Sequence, residues 1–348
     1  MRHLVPYAQL VRLPNTFTAM ADVFLGALAT GFLSDRGRWF LNWLVTLLPE
    51  WLVKMLETNF PAGYISKADA PIASAGAEFR HWCSFFCLLA ASTFLYWSGM
   101  VWNDYFDLDQ DRKERPGRPL ASGRVSLRAA LRLAVGLMVF GLLLTLAADF
   151  LSETGRWRSL PIALALVASI FLYDGLLKTT FAGPIVMGLC RSLNILLGLS
   201  ILGAWPPFWG WLLAIVVGIY IGGVTWFART EAHTSRQPML IGAAIAMLIS
   251  LLLALTVPAL ALERTTDAQP SRLFPYLLAA FGCYLGAAVI AAIRRPDPNR
   301  VQSAIKRAIL GLVVLDALLA SAFVGSFGLL LAALLIPSLF LGRWLYST

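Results

Sequence analysis

Long apolar runs, each close to the roughly 20 residues a helix needs to cross hydrocarbon, alternate with short polar segments along the whole chain. The pattern predicts spans at about 14–33, 82–102, 127–150, 157–177, 184–204, 207–228, 238–262, 272–293, 303–322 and 326–345. The last two form one apolar stretch broken by Gly325-Ser326-Phe327-Gly328. As a single helix that stretch would be about 60 Å long, too long for one crossing. The expected fold is therefore all-α and polytopic, a bundle of about nine transmembrane helices, with a tenth segment that crosses or lies partly along the interface.

One piece departs from this rhythm. In segment 36–80, Trp39, Phe40, Trp43, Leu44, Leu47, Trp51, Leu52 and Met55 recur at helical spacing, with Glu50, Lys54 and Glu57 between them. That pattern predicts an interfacial amphipathic helix interrupted near Pro49, followed by a polar loop over 58–78. We read residues 1–348 as one transmembrane domain, with 36–80 as an inserted extracytoplasmic loop.

Composition agrees. The 348 residues are 59% hydrophobic and 14% charged, against about 45–50% and about 25% in soluble domains, and the mean hydropathy is +0.72. A soluble class is excluded. The N-terminal apolar run is interrupted by Pro14, Asn15 and Asp22, so it is expected to stay as a helix rather than leave as a signal peptide. Cys83, Cys87, Cys190 and Cys283 all sit in apolar runs and read as small hydrophobes, without metal spacing or a disulfide framework.

The pI near 9.7 points to topology rather than to nucleic acid. Of the 28 Lys/Arg residues, 19 fall on the N-terminus and on the loops and helix ends after the second, fourth, sixth and eighth spans, counting Arg343 if the tenth returns. The positive-inside rule places that face in the cytoplasm, with the N-terminus on it. A multi-pass protein of the bacterial inner membrane is the expected setting.

Charge collects at the mouths of the second to sixth spans. Asn103, Asp104, Asp107 and Asp111 follow N-D-x-x-D-x-x-x-D. On a helix extending past the membrane, 104, 107 and 111 share one side. Three carboxylates so placed repel unless a cation sits among them, and hard oxygen ligands with room for water suit Mg²⁺, which usually takes one or two carboxylates plus substrate phosphates. The plainer alternative is a solvated, salt-bridged helix end. Arg112, Lys113, Arg115, Arg118 and Arg124 follow, and guanidinium forks bind phosphate oxygens two at a time. Arg118 lies in the turn made by Arg-Pro-Gly-Arg-Pro-Leu and is the candidate substrate contact.

Two further clusters open on the same face. Tyr173 and Lys178 close the fourth span. Arg191 and Asn194, at i and i+3, lie inside the fifth, near Asp174. A buried arginine in a membrane helix is costly and generally faces a polar interior; its alternative is snorkelling to the interface. After the sixth span, Arg229, Glu231, His233 and Arg236 offer a single carboxylate, Glu231, as a second metal contact. In the first span Asn15 and Asp22 share a face, with Arg191 as a candidate partner for Asp22. Together these features describe an apolar cavity whose mouth holds carboxylates, Mg²⁺ and basic residues. Such a cavity matches a polyprenyl diphosphate.

These residues resemble the UbiA-type intramembrane prenyltransferases. The family's first Asp motif matches Asn103, Asp104, Asp107 and Asp111, followed by its R-P-L-x-x-G turn at Arg118 to Gly123, and its Tyr-x-x-x-x-Lys element matches Tyr173 and Lys178. The resemblance covers most of the chain and implies a nine-helix bundle around a central cavity with a lateral opening to lipid. It also implies Mg²⁺-dependent transfer of a prenyl group from its diphosphate to a small lipophilic acceptor, commonly aromatic. The family's second D-x-x-x-D motif is replaced by Arg-Thr-Glu-Ala-His-Thr-Ser-Arg, so only Glu231 can substitute directly. This form, with Met-Gly-Leu-Cys-Arg-Ser-Leu-Asn in the fifth span, is similar to the branch found in bacterial ebo-type gene clusters. The candidate metal set is Asp104, Asp107, Asp111 and Glu231; the candidate substrate set is Arg118, Arg191, Asn194, Arg229, Glu231, Arg236, Asn15 and Asp22. A transporter or flippase of an isoprenoid or secondary-metabolite precursor is the alternative, since polar residues inside helices can also line a permeation path.

Overall fold

The computed structural model describes residues 4–32, 49–50, 75–152, 157–202, 204–229, 236–261 and 271–346. The amphipathic helix expected at 36–56 and Glu231 therefore lie outside the described residues, apart from Pro49 and Glu50. The helices are α1 (Val5–Leu10), α2 (Thr16–Ala29), α3 (Ala75–Phe106), α4 (Leu108–Glu114), α5 (Leu127–Leu151), α6 (Ser159–Leu172), α7 (Gly183–Leu199), α8 (Phe208–Ala228), α9 (Gln237–Ala254), α10 (Val257–Ala261), α11 (Phe274–Arg294), α12 (Pro298–Val324) and α13 (Leu335–Tyr346). The fold is an all-helical bundle. Eight segments among the described residues are long and apolar enough to cross a membrane, and α2 adds a shorter ninth.

Most predicted spans coincide with these helices to within a few residues. The largest difference is α3, which begins at Ala75, inside the segment read as loop. At the other end of the chain the apolar stretch divides where expected. Gly325 has φ of +65°, a conformation that only glycine adopts freely. Gly328 then lies so close to α12 that a Cβ there would stand 2.4 Å from the Ala320 carbonyl carbon. The chain reverses, descends as a 3-10 segment over Gly325–Leu334, and ends in α13. Ser338 Oγ donates to Pro14 O at 2.8 Å, and Gln9 Nε2 donates to Leu345 O at 3.0 Å. The last segment thus returns to the end of the bundle where the chain begins.

Close backbone contact sets the centre of the bundle. A Cβ on Gly198 would lie 2.5 Å from Val23 O, and one on Gly188 would lie 2.4 Å from Gly218 O. Without side chains at these crossings α7 packs directly on α2 and on α8, as small residues permit in membrane bundles. Apolar side chains such as Phe85, Leu95, Ile195, Leu213 and Leu319 are wholly buried. Others, such as Phe140, Ile185, Phe208 and Leu252, face outward, which a lipid solvent accommodates without cost.

Candidate active site

The site begins with local breaks in helices. α3 ends at Phe106, and Asp107 starts the short α4. Hydrogen bonds nevertheless continue through the junction, from Asp107 N to Asn103 O (3.0 Å) and from Asp111 N to Asp107 O (2.8 Å). The three aspartates stay on one side, but they are not an open carboxylate cluster. Arg118 Nη1 donates to Asp111 Oδ2 at 2.6 Å and to Asp104 Oδ1 at 3.2 Å. Lys178 pairs with Asp107. Asn103 Nδ2 donates to Asp174 Oδ1 at 2.7 Å.

The turn that carries Arg118 is fixed from both sides. Ser122 N and Val125 N bond back to Arg118 O and Pro119 O, and Gly123 takes φ of +74°. Leu120 and Val125 bury in a small apolar cluster with Leu10, Val101 and Ala134. A turn held this way fixes the guanidinium between two carboxylates. Lys178 is placed by a different device: α6 ends in a π-helical turn over Tyr173–Leu177, with Lys178 N bonded to Tyr173 O at 2.9 Å. Such turns are frequent at functional sites. Arg229 Nη2 donates to the carbonyl oxygens of Thr179 and Thr180, both at 2.6 Å, and ties the end of α8 to the same loop.

Behind this mouth is a cavity of about 920 Å³. Asn103, Asp107, Asp111, Arg118, Lys178 and Arg229 line its entrance, and Gly99, Ile170, Ile221, Ile309 and Leu312 line its apolar wall. Tyr173, only 9% exposed, stands between the two regions, and Asn15, Arg191 and Asn194 face the interior. Of the expected residues, Asp104 is buried behind the lining, and Asp22 lies behind Arg191. Arg236, exposed at the start of α9, is not in the lining.

Asp22 has its partner. Arg191 Nη1 donates to Asp22 Oδ2 at 2.9 Å and Arg191 Nη2 to Thr18 Oγ1 at 2.9 Å. Asn194 Nδ2 donates to Asp22 Oδ2 and to Ala19 O, each at 2.9 Å, and Ser92 Oγ donates to Asn194 Oδ1 at 2.7 Å. The ion pair rules out snorkelling for Arg191.

Two residues escaped the sequence reading. Arg12 counted only as a topology marker, yet its Nη2 reaches Asn103 Oδ1 at 3.0 Å and Asp104 Oδ1 at 3.3 Å. It adopts φ of 49°, a left-handed conformation that costs a non-glycine residue about 1–2 kcal/mol. Strain of that kind gathers at functional sites. Its place just before Leu13-Pro14-Asn15, where the first span opens, was the available signal. The second is Asp316, wholly buried in α12, whose signal was a lone carboxylate inside an apolar span.

The donor set fits Mg²⁺ in chemistry. Among the described residues no three His, Cys, Asp or Glu side chains converge on one metal position. Mg²⁺ needs only one or two carboxylates when phosphates complete its shell, and Asp107 and Asp111 both face the cavity.

A membrane-embedded helical bundle in which a cavity joins a charged mouth to an apolar interior is the class that this fold and site define. Comparison with known proteins agrees. Residues 70–310 match the model of the UbiA prenyltransferase family, so the chain belongs to that family. Curated relatives include digeranylgeranylglyceryl phosphate synthase of Metallosphaera sedula, 35% identical over 29% of this chain and 33% of that protein. The enzyme of the same name from Ignicoccus hospitalis is 29% identical over 60% of this chain and 71% of its own. The chain thus spans a third of the length of the first relative. Among solved structures, a digeranylgeranylglyceryl phosphate synthase is 18% identical with a TM-score of 0.57, covering 93% of this chain and 99% of that one. A UbiA homolog from Archaeoglobus fulgidus bound to GPP and Mg²⁺ is 15% identical with a TM-score of 0.55, covering 94% and 99%. At such identities these structures speak for the fold.

Proposed function

We propose that this protein transfers a prenyl group from a polyprenyl diphosphate to a small lipophilic acceptor inside the membrane, with Mg²⁺ bound at the cavity mouth. One observation carries the reading: a single cavity has carboxylates and cations at its entrance and hydrocarbon-like walls behind. A diphosphate with an isoprenoid tail has the same division.

In this reading Asp107 and Asp111 hold Mg²⁺ on the diphosphate, with Asn103 and the buried Asp104 supporting them; Glu231 remains the candidate for a second metal. The metal supplies positive charge to the departing diphosphate. Arg118, Lys178 and Arg229 receive the phosphate oxygens as the allylic C–O bond breaks and its electron pair leaves with the diphosphate. To do so, Arg118 and Lys178 exchange aspartate contacts for phosphate contacts. The Tyr173 ring faces the developing carbocation and stabilises it through its π face. The acceptor forms the new bond and gives up a proton, while the apolar wall excludes water that would hydrolyse the cation. Asn194, Asn15 and Asp22 orient the acceptor, Asp22 by holding Arg191 against Thr18. The charged mouth faces the cytoplasm of a bacterial inner membrane by the positive-inside rule. The altered second Asp motif supports reading the protein as a member of the ebo-type branch, and an aromatic acceptor is the working choice rather than the glycerophosphate product named for the curated relatives.

The transporter alternative draws support from the intramembrane Asp22–Arg191 pair. Diphosphate release separates the two. Purified protein is given geranyl, farnesyl or geranylgeranyl diphosphate with Mg²⁺ or EDTA, and a lipid extract of the source cells as acceptor pool. Release that requires both Mg²⁺ and the extract is the expected outcome, and mass spectrometry then identifies the prenylated product. Mg²⁺-dependent binding without turnover rejects the transferase reading in favour of transport.

A further inference from the structure

Asp316, wholly buried in α12, has no part in the prenyl transfer proposed above. Asp316 on α12 and Asp22 on α2 are both 0% exposed; their helices pack together, and the two carboxyls are close enough to interact electrostatically. Among the described residues, three of their four oxygens, Asp22 Oδ1 and both of Asp316, have no hydrogen-bond donor. The fourth, Asp22 Oδ2, takes the bonds from Arg191 and Asn194. Arg191 on α7 directs Nη1 to Asp22 and Nη2 to Thr18, and among the described residues no hydrogen bond from it reaches Asp316. Tyr220 on α8 has spent its hydroxyl on Ala308 O at 2.9 Å.

The charge count then decides the matter. Two carboxylates and one guanidinium leave one negative charge uncompensated inside the membrane. An unpaired buried charge is strongly destabilising even after the protein relaxes, and hydrocarbon surroundings raise that cost. A divalent ion would overshoot by one positive charge; one monovalent cation closes the balance.

We propose that Asp22 and Asp316 form an intramembrane binding site for a single monovalent cation, either a proton shared between the two carboxyls or a sodium ion held by their three unpartnered oxygens. The cation makes the pair singly negative and matches it to Arg191, whose guanidinium lines the cavity. The site stands on burial and pairing alone and does not depend on the reaction proposed above.

The test uses the full purified chain in detergent, with Asp316→Asn and Asp22→Asn as variants. Two measurements run in parallel: the infrared carbonyl band of a protonated carboxyl, with its shift in D₂O, and the Tm as sodium chloride replaces choline chloride. A shared proton gives a D₂O-sensitive carboxyl band in the wild type that is lost in both variants, with no sodium effect. A bound sodium ion gives a saturable rise of Tm with sodium that is lost in both variants. Either result supports the site. A wild-type protein with neither signal overturns it, as does a signal that survives in either variant. A wild-type protein with neither signal decides against the site even if a variant does not fold, and none of the readouts involves prenyl diphosphate.

Discussion

Gly26 on α2 and Gly198 on α7 meet backbone to backbone: a Cβ on Gly26 would lie 2.7 Å from Ile195 O, and one on Gly198 2.5 Å from Val23 O. Each glycine is four residues, one helical turn, beyond a polar partner, Asp22 on α2 and Asn194 on α7. The close crossing brings those partners within 2.9 Å. Gly198→Val should therefore force the helices apart, beyond the roughly 1–3 kcal/mol typical of overpacking, because backbone rather than side chain must move. A fall in Tm together with weaker prenyl diphosphate binding is expected. Unchanged values for both would show that the contact does not position Asp22.

The Arg191–Asp22 pair should be strongly coupled. Removing one partner of a buried pair costs about 3–5 kcal/mol, because the other charge is left unsatisfied. Arg191→Met is expected to lower Tm sharply, and adding Asp22→Leu should recover part of that loss. A double-mutant cycle on Tm or denaturant midpoint measures the coupling. Additive effects would mean that the pair is not formed in the membrane.

Arg118 supports two carboxylates that are 5% and 7% exposed while it is itself 22% exposed. Arg118→Ala should cost stability at or below the lower end of that range, about 3 kcal/mol, since the arginine is partly screened by solvent. Arg118→Lys keeps the charge but loses the fork. It should preserve Tm while reducing diphosphate release, and equal losses in both quantities would assign Arg118 a purely structural part.

Asp107 pairs with Lys178 and faces the cavity. Asp107→Asn is expected to abolish Mg²⁺-dependent binding of prenyl diphosphate while the protein stays folded, read by calorimetry with and without EDTA. Glu231→Gln should have a smaller effect if one metal suffices. Binding by Asp107→Asn at the wild-type level would make the aspartate motif a topology device.

Several features were readable in the sequence because they are local. The spans follow from runs of apolar residues near the length of a crossing, and the reversal follows from the glycines at 325 and 328. The entrance was visible because Asn103, Asp104, Asp107 and Asp111 repeat at helical spacing beside an apolar run, and Arg118 because prolines mark its turn. The partners of these residues were not readable. Arg12 is 92 positions from Asp104 and Arg191 is 169 from Asp22, and nothing in hydropathy or helical period says which face of one helix meets which face of another. That choice rests on backbone contacts at Gly26, Gly188, Gly198 and Gly218, which only the packed bundle reveals. The sequence by itself determined where charge and hydrocarbon lie along the chain, because transfer into lipid is decided residue by residue. The tertiary structure alone decided which charges neutralise one another, and among the described residues it left both oxygens of Asp316 without a hydrogen-bond partner, because pairing depends on distance across helices rather than along one.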